Sequence, residues 1–170
     1  MAVFWNDLND YLVSAFNTAM GSASAYSTMK VQTVNDRIFA DAHEWALWTL
    51  PAISVACYRI VYNATEHMGS SNKLYTKQYQ CMAFGIISGS VNVAATPVVD
   101  TVSDNIREYY ERMESVLRTN TVTVASAGVI ARSITISSGD LDVARYPSDD
   151  IDSYRRMGIA YFQFTVTAKV

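Results

Sequence analysis

The sequence predicts an α+β protein in which helices pack on a mostly antiparallel sheet. Three observations predict this class. Two segments carry apolar residues at helical spacing, several others alternate between apolar and polar residues, and polar turn-rich segments separate them. With 170 residues, no internal repeat and no linker, the chain is expected to form a single domain over residues 1–170. Half of the residues are apolar, which argues against disorder.

Two amphipathic helices are predicted. The first covers residues 3–20, where large apolar residues recur near helical spacing and Gly21 follows as a stop signal. The second is a central helix over residues 99–117, with Asp100 as its N-cap. Such a helix needs an apolar surface to cover, and the strand-like segments on both sides make a sheet the expected surface. Its apolar stripe consists of Val102, Ile106, Tyr109, Tyr110, Met113, Val116 and Leu117.

A long β-hairpin is predicted between the two helices. Segments 52–63 and 74–88 are rich in Ile, Val and Tyr, and a polar segment containing Gly69 joins them. If the hairpin turns at Gly69, the numbers of paired residues have a constant sum. Both cysteines then lie on one face of the sheet as buried thiols. The predicted pairs are Cys57 with Cys81, Val55 with Ala83, and Arg59 with Tyr79.

Shorter elements flank the hairpin and the central helix. Residues 28–34 alternate as in a short strand, whereas 36–48 suits either a helix or an ordered aromatic loop. Thr and Val alternate over 120–126. Segment 128–138 is predicted as a strand, and 154–170 as the longest strand, with one apolar and one mostly polar face. The strand over 128–138 is predicted to place Ile130, Arg132, Ile134 and Ile136 on one face.

The segment between the last two strands is predicted to be a long acidic loop. Residues 139–153 hold five aspartates, one arginine and Pro147. Clustered carboxylates are ligands for hard cations such as Ca2+, but their spacing here departs from calcium-binding loops and no glutamate closes it. A solvated acidic loop is therefore preferred to a metal site. The five aspartates are Asp140, Asp142, Asp149, Asp150 and Asp152.

The sequence contains no catalytic constellation. His43 and His67 lack the spacing that places two ligands on one metal, and no phosphate-loop pattern is present. A thiol enzyme would need Cys57 or Cys81 beside a histidine, yet both lie in the middle of predicted strands. A net charge of −3 without a basic cluster argues against a protein that grips nucleic acid. We therefore expect a non-enzymatic protein that needs no cofactor and no metal.

The N-terminus and the longest apolar run bear on location. The N-terminal residues lack the positive region of a signal peptide, and the apolar run over residues 45–58 is too short and too interrupted for a transmembrane helix. We expect a protein made in a reducing cytoplasm, outside membranes, with two cysteines that act as small apolar residues.

The order of the predicted elements resembles that of tail terminator and neck proteins of long-tailed bacteriophages. The resemblance is carried by LPAISV at residues 50–55, the strand over 79–87, the helix VSDNIREYYERMESVL and the final strand over 160–168. It covers most of the chain as a pattern of elements, without a fingerprint motif. It implies a small α+β domain whose copies assemble into a ring, expected to be hexameric, at the end of the tail tube.

The resemblance also implies a function. As a tail terminator in the virion, assembled in the host cytoplasm, the ring would cap the tail tube and contact the neck connector protein. DNA would pass through it without specific binding, because carboxylates in the lumen repel phosphates. The alternatives are a neck or head-completion protein and, from another class, a small cytoplasmic enzyme or binding module. The candidate lumen or interface residues are Asp140, Asp142, Asp149, Asp150 and Asp152.

Overall fold

Two helices and seven strands make up the described part of the chain. The computed structural model describes residues 4–21, 33–35, 49–68, 72–92, 99–119, 125–126, 129–145 and 155–169. The combination of helices with a mostly antiparallel sheet confirms the predicted α+β class. In chain order the elements are α1 (Phe4–Met20), β1 (Thr33–Asn35), β2 (Ala52–Met68), β3 (Asn72–Asn92), β4 (Val99–Asp100), α2 (Thr101–Thr119), β5 (Ala125–Ser126), β6 (Val129–Arg145) and β7 (Arg155–Lys169).

Four long strands form the centre of the sheet. The strand order is β1-β2-β3-β7-β6-β5, and β4 pairs with β3 outside this path. The long strands β2, β3, β7 and β6 are antiparallel to their neighbours, whereas the short β1 is parallel to β2. The last strand, β7, therefore lies between β3 and β6 and joins the β2–β3 and β6–β7 hairpins into one sheet.

Both helices pack on the same face of this sheet. Helix α1 contacts β2, and helix α2 contacts β3, β7 and β6. Each large apolar side chain buried at this interface contributes roughly 1.5 to 3 kcal/mol relative to an exposed one. The predicted stripe of α2 is buried except for the partly exposed Tyr110. The buried residues of α1 are Phe4, Leu8, Asn9, Leu12, Phe16 and Met20, and those of β7 on this face are Ala160, Phe162, Phe164, Val166 and Ala168.

Glycines on β3, β7 and β6 let the sheet backbone come close to side chains of α2. A Cβ atom added at Gly85 would lie 2.5 Å from a ring carbon of Tyr109, and one added at Gly158 would lie 2.9 Å from the Cβ of Ile106. Gly139 lies beneath the same helix. Since packed atoms do not approach so closely, a larger residue at Gly85 or Gly158 would push α2 away, whereas one at Gly139 would meet the end of the Tyr110 side chain. We call Gly85, Gly139 and Gly158 the glycine trough.

The bounds of the helices agree closely with the predictions. Helix α1, predicted from residue 3, is described from Phe4, and it ends before Gly21, as predicted. Helix α2 begins directly after Asp100, the predicted N-cap, and continues to Thr119. The N–H of Gly21 donates to the carbonyl of Asn17 at 2.8 Å, which satisfies one of the last carbonyls of α1.

The predicted hairpin is present and longer than predicted. Strand β2 continues to Met68 and strand β3 begins at Asn72, so both extend into the polar segment. The two strands pair with each other along this length. The predicted pairs of Cys57 with Cys81 and of Val55 with Ala83 are confirmed.

The third predicted pair of this hairpin is wrong. A β-bulge at Tyr58 shifts the register, so that Arg59 lies opposite Gln80 and not opposite Tyr79. A bulge inserts one extra residue into one strand, and pairs beyond it no longer share the same sum.

The acidic segment begins as a strand, which corrects the prediction of a loop over 139–153. Strand β6 continues to Arg145, and residues 139–145 pair with β7. Aspartate is disfavoured in strands, but Leu141 and Val143 alternate with the aspartates, and β7 supplies a backbone partner for the whole stretch. The part of the predicted loop from 146 to 153 lies outside the described residues.

Two β-bulges correct the predicted face of the preceding strand. They occur at Arg132 and Ser137. Ile134 and Ile136 pack against the core. The bulge at Arg132 interrupts the alternation, so positions 130, 132, 134 and 136 do not all share one face.

Several predicted segments lie outside the described residues. Of the predicted short strand over 28–34, only its end coincides with β1, and of the Thr-Val segment over 120–126 only β5 is described. The ambiguous segment 36–48 is not described at all.

Candidate functional site

Two of the five candidate aspartates lie on strand β6. Asp140 is paired with Tyr161 and Asp142 with Ile159, and both aspartates are exposed. They alternate with residues paired to core positions of β7, so they belong to the sheet face opposite the helices. The other three candidates, Asp149, Asp150 and Asp152, lie outside the described residues.

Each of these two carboxylates accepts a hydrogen bond from the next backbone amide. The N–H of Leu141 donates to Oδ1 of Asp140 at 2.8 Å, and the N–H of Val143 donates to Oδ1 of Asp142 at 2.7 Å. Amides two residues apart point to the same side of a strand, and here that side is the one away from β7. The aspartates therefore occupy donors that an incoming strand would otherwise use.

Strand β6 forms one edge of the described sheet. On the side away from β7, the one described strand that pairs with it is β5, which reaches only Val129 and Ile130. Between 131 and 145 no described strand covers this side. Asp140 and Asp142 bind the amides of Leu141 and Val143 on this side. Residues 133–138 come before these two amides in the strand.

Strand β2 forms the opposite edge. On the side away from β3, the described partner is β1, which pairs only with residues 52–54. Helix α1 lies beside the next part of the strand, where Oδ1 of Asn9 accepts a hydrogen bond from the N–H of Cys57 at 3.0 Å. Asn9 is buried, so this bond satisfies two polar groups at once.

The exposed large apolar side chains of the described residues lie on these two edge strands. They are Tyr62 on β2, which is 62% exposed, and Leu141 on β6, which is 38% exposed. The ammonium of Lys77 on β3 lies 5.5 Å from the centre of the Tyr62 ring, within the range of a cation–π interaction. An exposed aromatic side chain on an edge strand is typical of a contact surface.

The sheet face opposite the helices divides into an apolar and a polar half. In the apolar half Ala52, Ala56, Ile86 and Met157 are buried, and the rings of Phe84 and Tyr161 lie 4.9 Å apart. The strand pairing shows that the same face continues into a polar half. This confirms the prediction that the final strand has one mostly polar face. The polar half includes Arg59, Gln78, Gln80, Ser133, Thr135, Thr165 and Thr167.

Tyr110 connects the acidic strand with the core. Its ring stacks on Phe162 at a centroid distance of 4.5 Å. Burial raises the pKa of Tyr110, the carboxylates of Glu114 and Asp140 raise it further, and the guanidinium of Arg118 opposes them.

The described residues contain no group of three or more His, Cys, Asp or Glu side chains that could hold a metal. Cys57 and Cys81 are free thiols, both buried, with their Sγ atoms 2.6 Å apart. His67 lies on β2 opposite Lys73, while His43 lies outside the described residues. In the part of the chain that the structure describes, no helix is both long and apolar enough to cross a bilayer.

The sequence interpretation missed Asn9, Tyr62 and Leu141. The burial of Asn9 could have been predicted, because helical spacing places it within the apolar stripe of α1. A polar residue at such a position needs a hydrogen-bond partner. The exposure of Tyr62 and Leu141 could not have been predicted, because it depends on which strands lie at the edges of the sheet.

No protein-family model matches the chain, and no curated protein matches it in sequence.

Proposed function

We propose that this chain is a bacteriophage tail terminator, a structural protein whose copies form a hexameric ring. The ring caps the tail tube, stops its polymerisation and presents a surface to the neck connector. The resemblance in the order of elements supports this proposal. The structural observation that carries it is that the two outer long strands of the described sheet, β2 and β6, each carry an exposed apolar side chain, Tyr62 and Leu141.

Two different edges suit a head-to-tail contact between copies. The strands β2 and β6 run in opposite directions, because each neighbouring pair in β2-β3-β7-β6 is antiparallel. The β6 edge of one copy can therefore receive the β2 edge of the next and continue the antiparallel order. A contact between two unlike surfaces generates a ring when its rotation closes.

The polar half of the sheet supplies a suitable lumen wall. It carries Thr, Gln and Ser side chains together with the charged Arg59. Asp140 and Asp142 lie on the same sheet face and are exposed. Carboxylates facing a passage repel DNA phosphates, so the genome moves without being held.

Electron microscopy and mass measurement of the purified chain test this function. We expect rings of six copies, formed by the chain alone or on the ends of tail tubes from the same phage. Thr135→Lys places a charge on the β6 edge strand and should lower the ring fraction. Ser14→Lys, on the exposed side of α1, is the matched control and should leave rings intact.

The alternatives predict other results. A neck or head-completion protein would bind the head connector and leave tube ends uncapped. A chain that stays monomeric at high concentration and ignores tail tubes would contradict the proposal and favour an enzyme or a binding module.

A further inference from the structure

Cys57 and Cys81 form a pair of thiols that the proposed assembly does not use. They lie directly opposite each other in the β2–β3 hairpin, with Sγ atoms 2.6 Å apart. Cys57 is 3% exposed and Cys81 is fully buried. Because the chain has two cysteines, any disulfide within one copy must join these two.

The backbone geometry at this pair suits a crosslink. The N–H of Cys57 donates to Asn9 on α1 and thus points away from β3, so Cys57 and Cys81 are a non-hydrogen-bonded pair. The Cα atoms of such a pair lie about 4.5 Å apart. Disulfides span Cα distances of about 4.4 to 6.8 Å, so the strands can accept the bond without moving.

We propose that this pair is an oxidation site, at which a hydroperoxide such as hydrogen peroxide converts the two thiols into a disulfide that crosslinks β2 and β3. The inference depends on the fold of one copy and is independent of ring formation. The reaction has two steps and consumes one peroxide.

In the first step, the sulfur of Cys57 attacks one peroxide oxygen and the O–O bond breaks. The departing hydroxide takes the thiol proton and leaves as water, and Cys57 becomes a sulfenic acid. In the second step, the sulfur of Cys81 attacks the sulfur of Cys57 and the S–O bond breaks. The hydroxide leaves with the proton of Cys81 as a second water. Both sulfurs are oxidised and the peroxide is reduced.

The contacts of Cys81 support this order of attack. Its S–H donates to the carbonyl of Tyr79 at 3.4 Å. Burial raises the pKa of Cys81, and the hydrogen bond and charge of Cys57 raise it further. Cys57 is slightly more accessible than Cys81 and therefore meets the peroxide first.

Thiol counting in the folded full-length protein tests the proposal. The protein is treated with hydrogen peroxide, the peroxide is removed with catalase, and the chain is denatured in excess N-ethylmaleimide. We expect loss of both maleimide adducts, recovery of both after dithiothreitol, and a Cys57–Cys81 disulfide peptide in the digest. Thermal melting should shift upward by roughly 5 to 10 °C on oxidation, because the disulfide restricts the unfolded chain.

Cys57→Ala, treated identically, is the matched control. It keeps all seven methionines, so it reports any effect of methionine oxidation on melting, and its melting temperature should not rise. In Cys81→Ala the sulfenic acid has no thiol to react with, so dimedone should label Cys57. If either variant fails to fold, thiol counting on the natural chain still decides. Two maleimide adducts after peroxide, thiols that dithiothreitol does not restore, or a disulfide between two chains would overturn the proposal.

Discussion

The two edges of the sheet are protected in different ways. At the β2 edge, the amide of Cys57 is bound by Asn9, which comes from another element and lies in the core. At the β6 edge, the amides of Leu141 and Val143 are bound by the aspartates that directly precede them. The first arrangement depends on helix packing, whereas the second is local and charged.

Because of this difference, substitutions at the β2 edge should affect folding, whereas substitutions at the β6 edge should affect association. Loss of the contact at β2 leaves a buried donor without an acceptor, which lowers the free energy of unfolding. Loss of the contacts at β6 uncovers donors that water can reach, so the folded state is kept while a new strand can bind. The two edges should therefore respond to substitution through different measurements.

The largest effect should come from disrupting the helix–sheet packing that supports both edges. Ile106→Asp places a carboxylate in the core between α2 and the sheet, and an unpaired buried charge costs roughly 3 kcal/mol or more. We expect loss of cooperative unfolding in urea, or a midpoint far below that of the natural chain. Ser115→Asp, on the exposed side of the same helix, is the control. Equal stability of the two variants would contradict the packing of α2 described above.

A smaller effect is expected at the β2 edge. Asn9→Ala removes the acceptor for the Cys57 amide and should lower the free energy of unfolding by about 1 to 3 kcal/mol. Asn17→Ala, at an exposed position of the same helix, should change it by less than about 0.5 kcal/mol. Urea titrations of both variants measure the difference. If the two variants were equally stable, the protection of β2 would not depend on α1.

At the β6 edge we expect altered association. The double variant Asp140→Ala and Asp142→Ala uncovers the amides of Leu141 and Val143 and should increase the average mass in light scattering. Replacing both aspartates by asparagine keeps an oxygen acceptor in each position, so that variant should scatter like the natural chain. Increased mass in the asparagine variant would mean that charge, and not hydrogen bonding, protects this edge.

The smallest effect concerns a buried phenol close to the β2 edge. Burial, with smaller contributions from Tyr62 and Cys57, raises the pKa of Tyr79 to about 12 from its ordinary value of 10.0. Below about pH 10 the phenol is neutral in both states, so its contribution to stability is fully present. Between about pH 10 and 12 the unfolded chain loses this proton while the folded chain keeps it, so stability falls as pH rises.

Tyr79→Phe removes this proton and should flatten the fall in stability between about pH 10 and 12. Between pH 7 and 9, where the phenol stays neutral, the free energy of unfolding should depend on pH in the same way in the variant and in the natural chain. The two should differ only in the slope above about pH 10. Urea titrations at several pH values measure the slope. An unchanged slope would mean that other groups, such as the buried Tyr109, dominate alkaline unfolding.

Much of the fold could be predicted because its signals are local. The stripe of α2 follows from helical spacing, and the pairing of Cys57 with Cys81 follows from the position of the turn. The bulge at Tyr58 has no comparable signal, because inserting a residue depends on how the partner strand and α1 fit together. Pattern alone also favoured a loop at Asp140 and Asp142, since aspartate is rare within strands.

The candidate site was harder to predict because edges are a property of the whole topology. Strand β7 is last in the chain, yet it separates β3 from β6 and so makes β2 and β6 the outer long strands. No residue near Tyr62 or Leu141 carries that information. The buried Asn9 is different, since a polar residue beside an apolar helical stripe already calls for a partner.

The glycine trough has a mechanical consequence. Because Gly85, Gly139 and Gly158 bring the sheet backbone close to side chains of α2, the helix rests in a recess that crosses three strands. A helix on a flat apolar surface can slide by small steps, but this one must first rise out of its recess. Helix and sheet should therefore move under load as one stiff body.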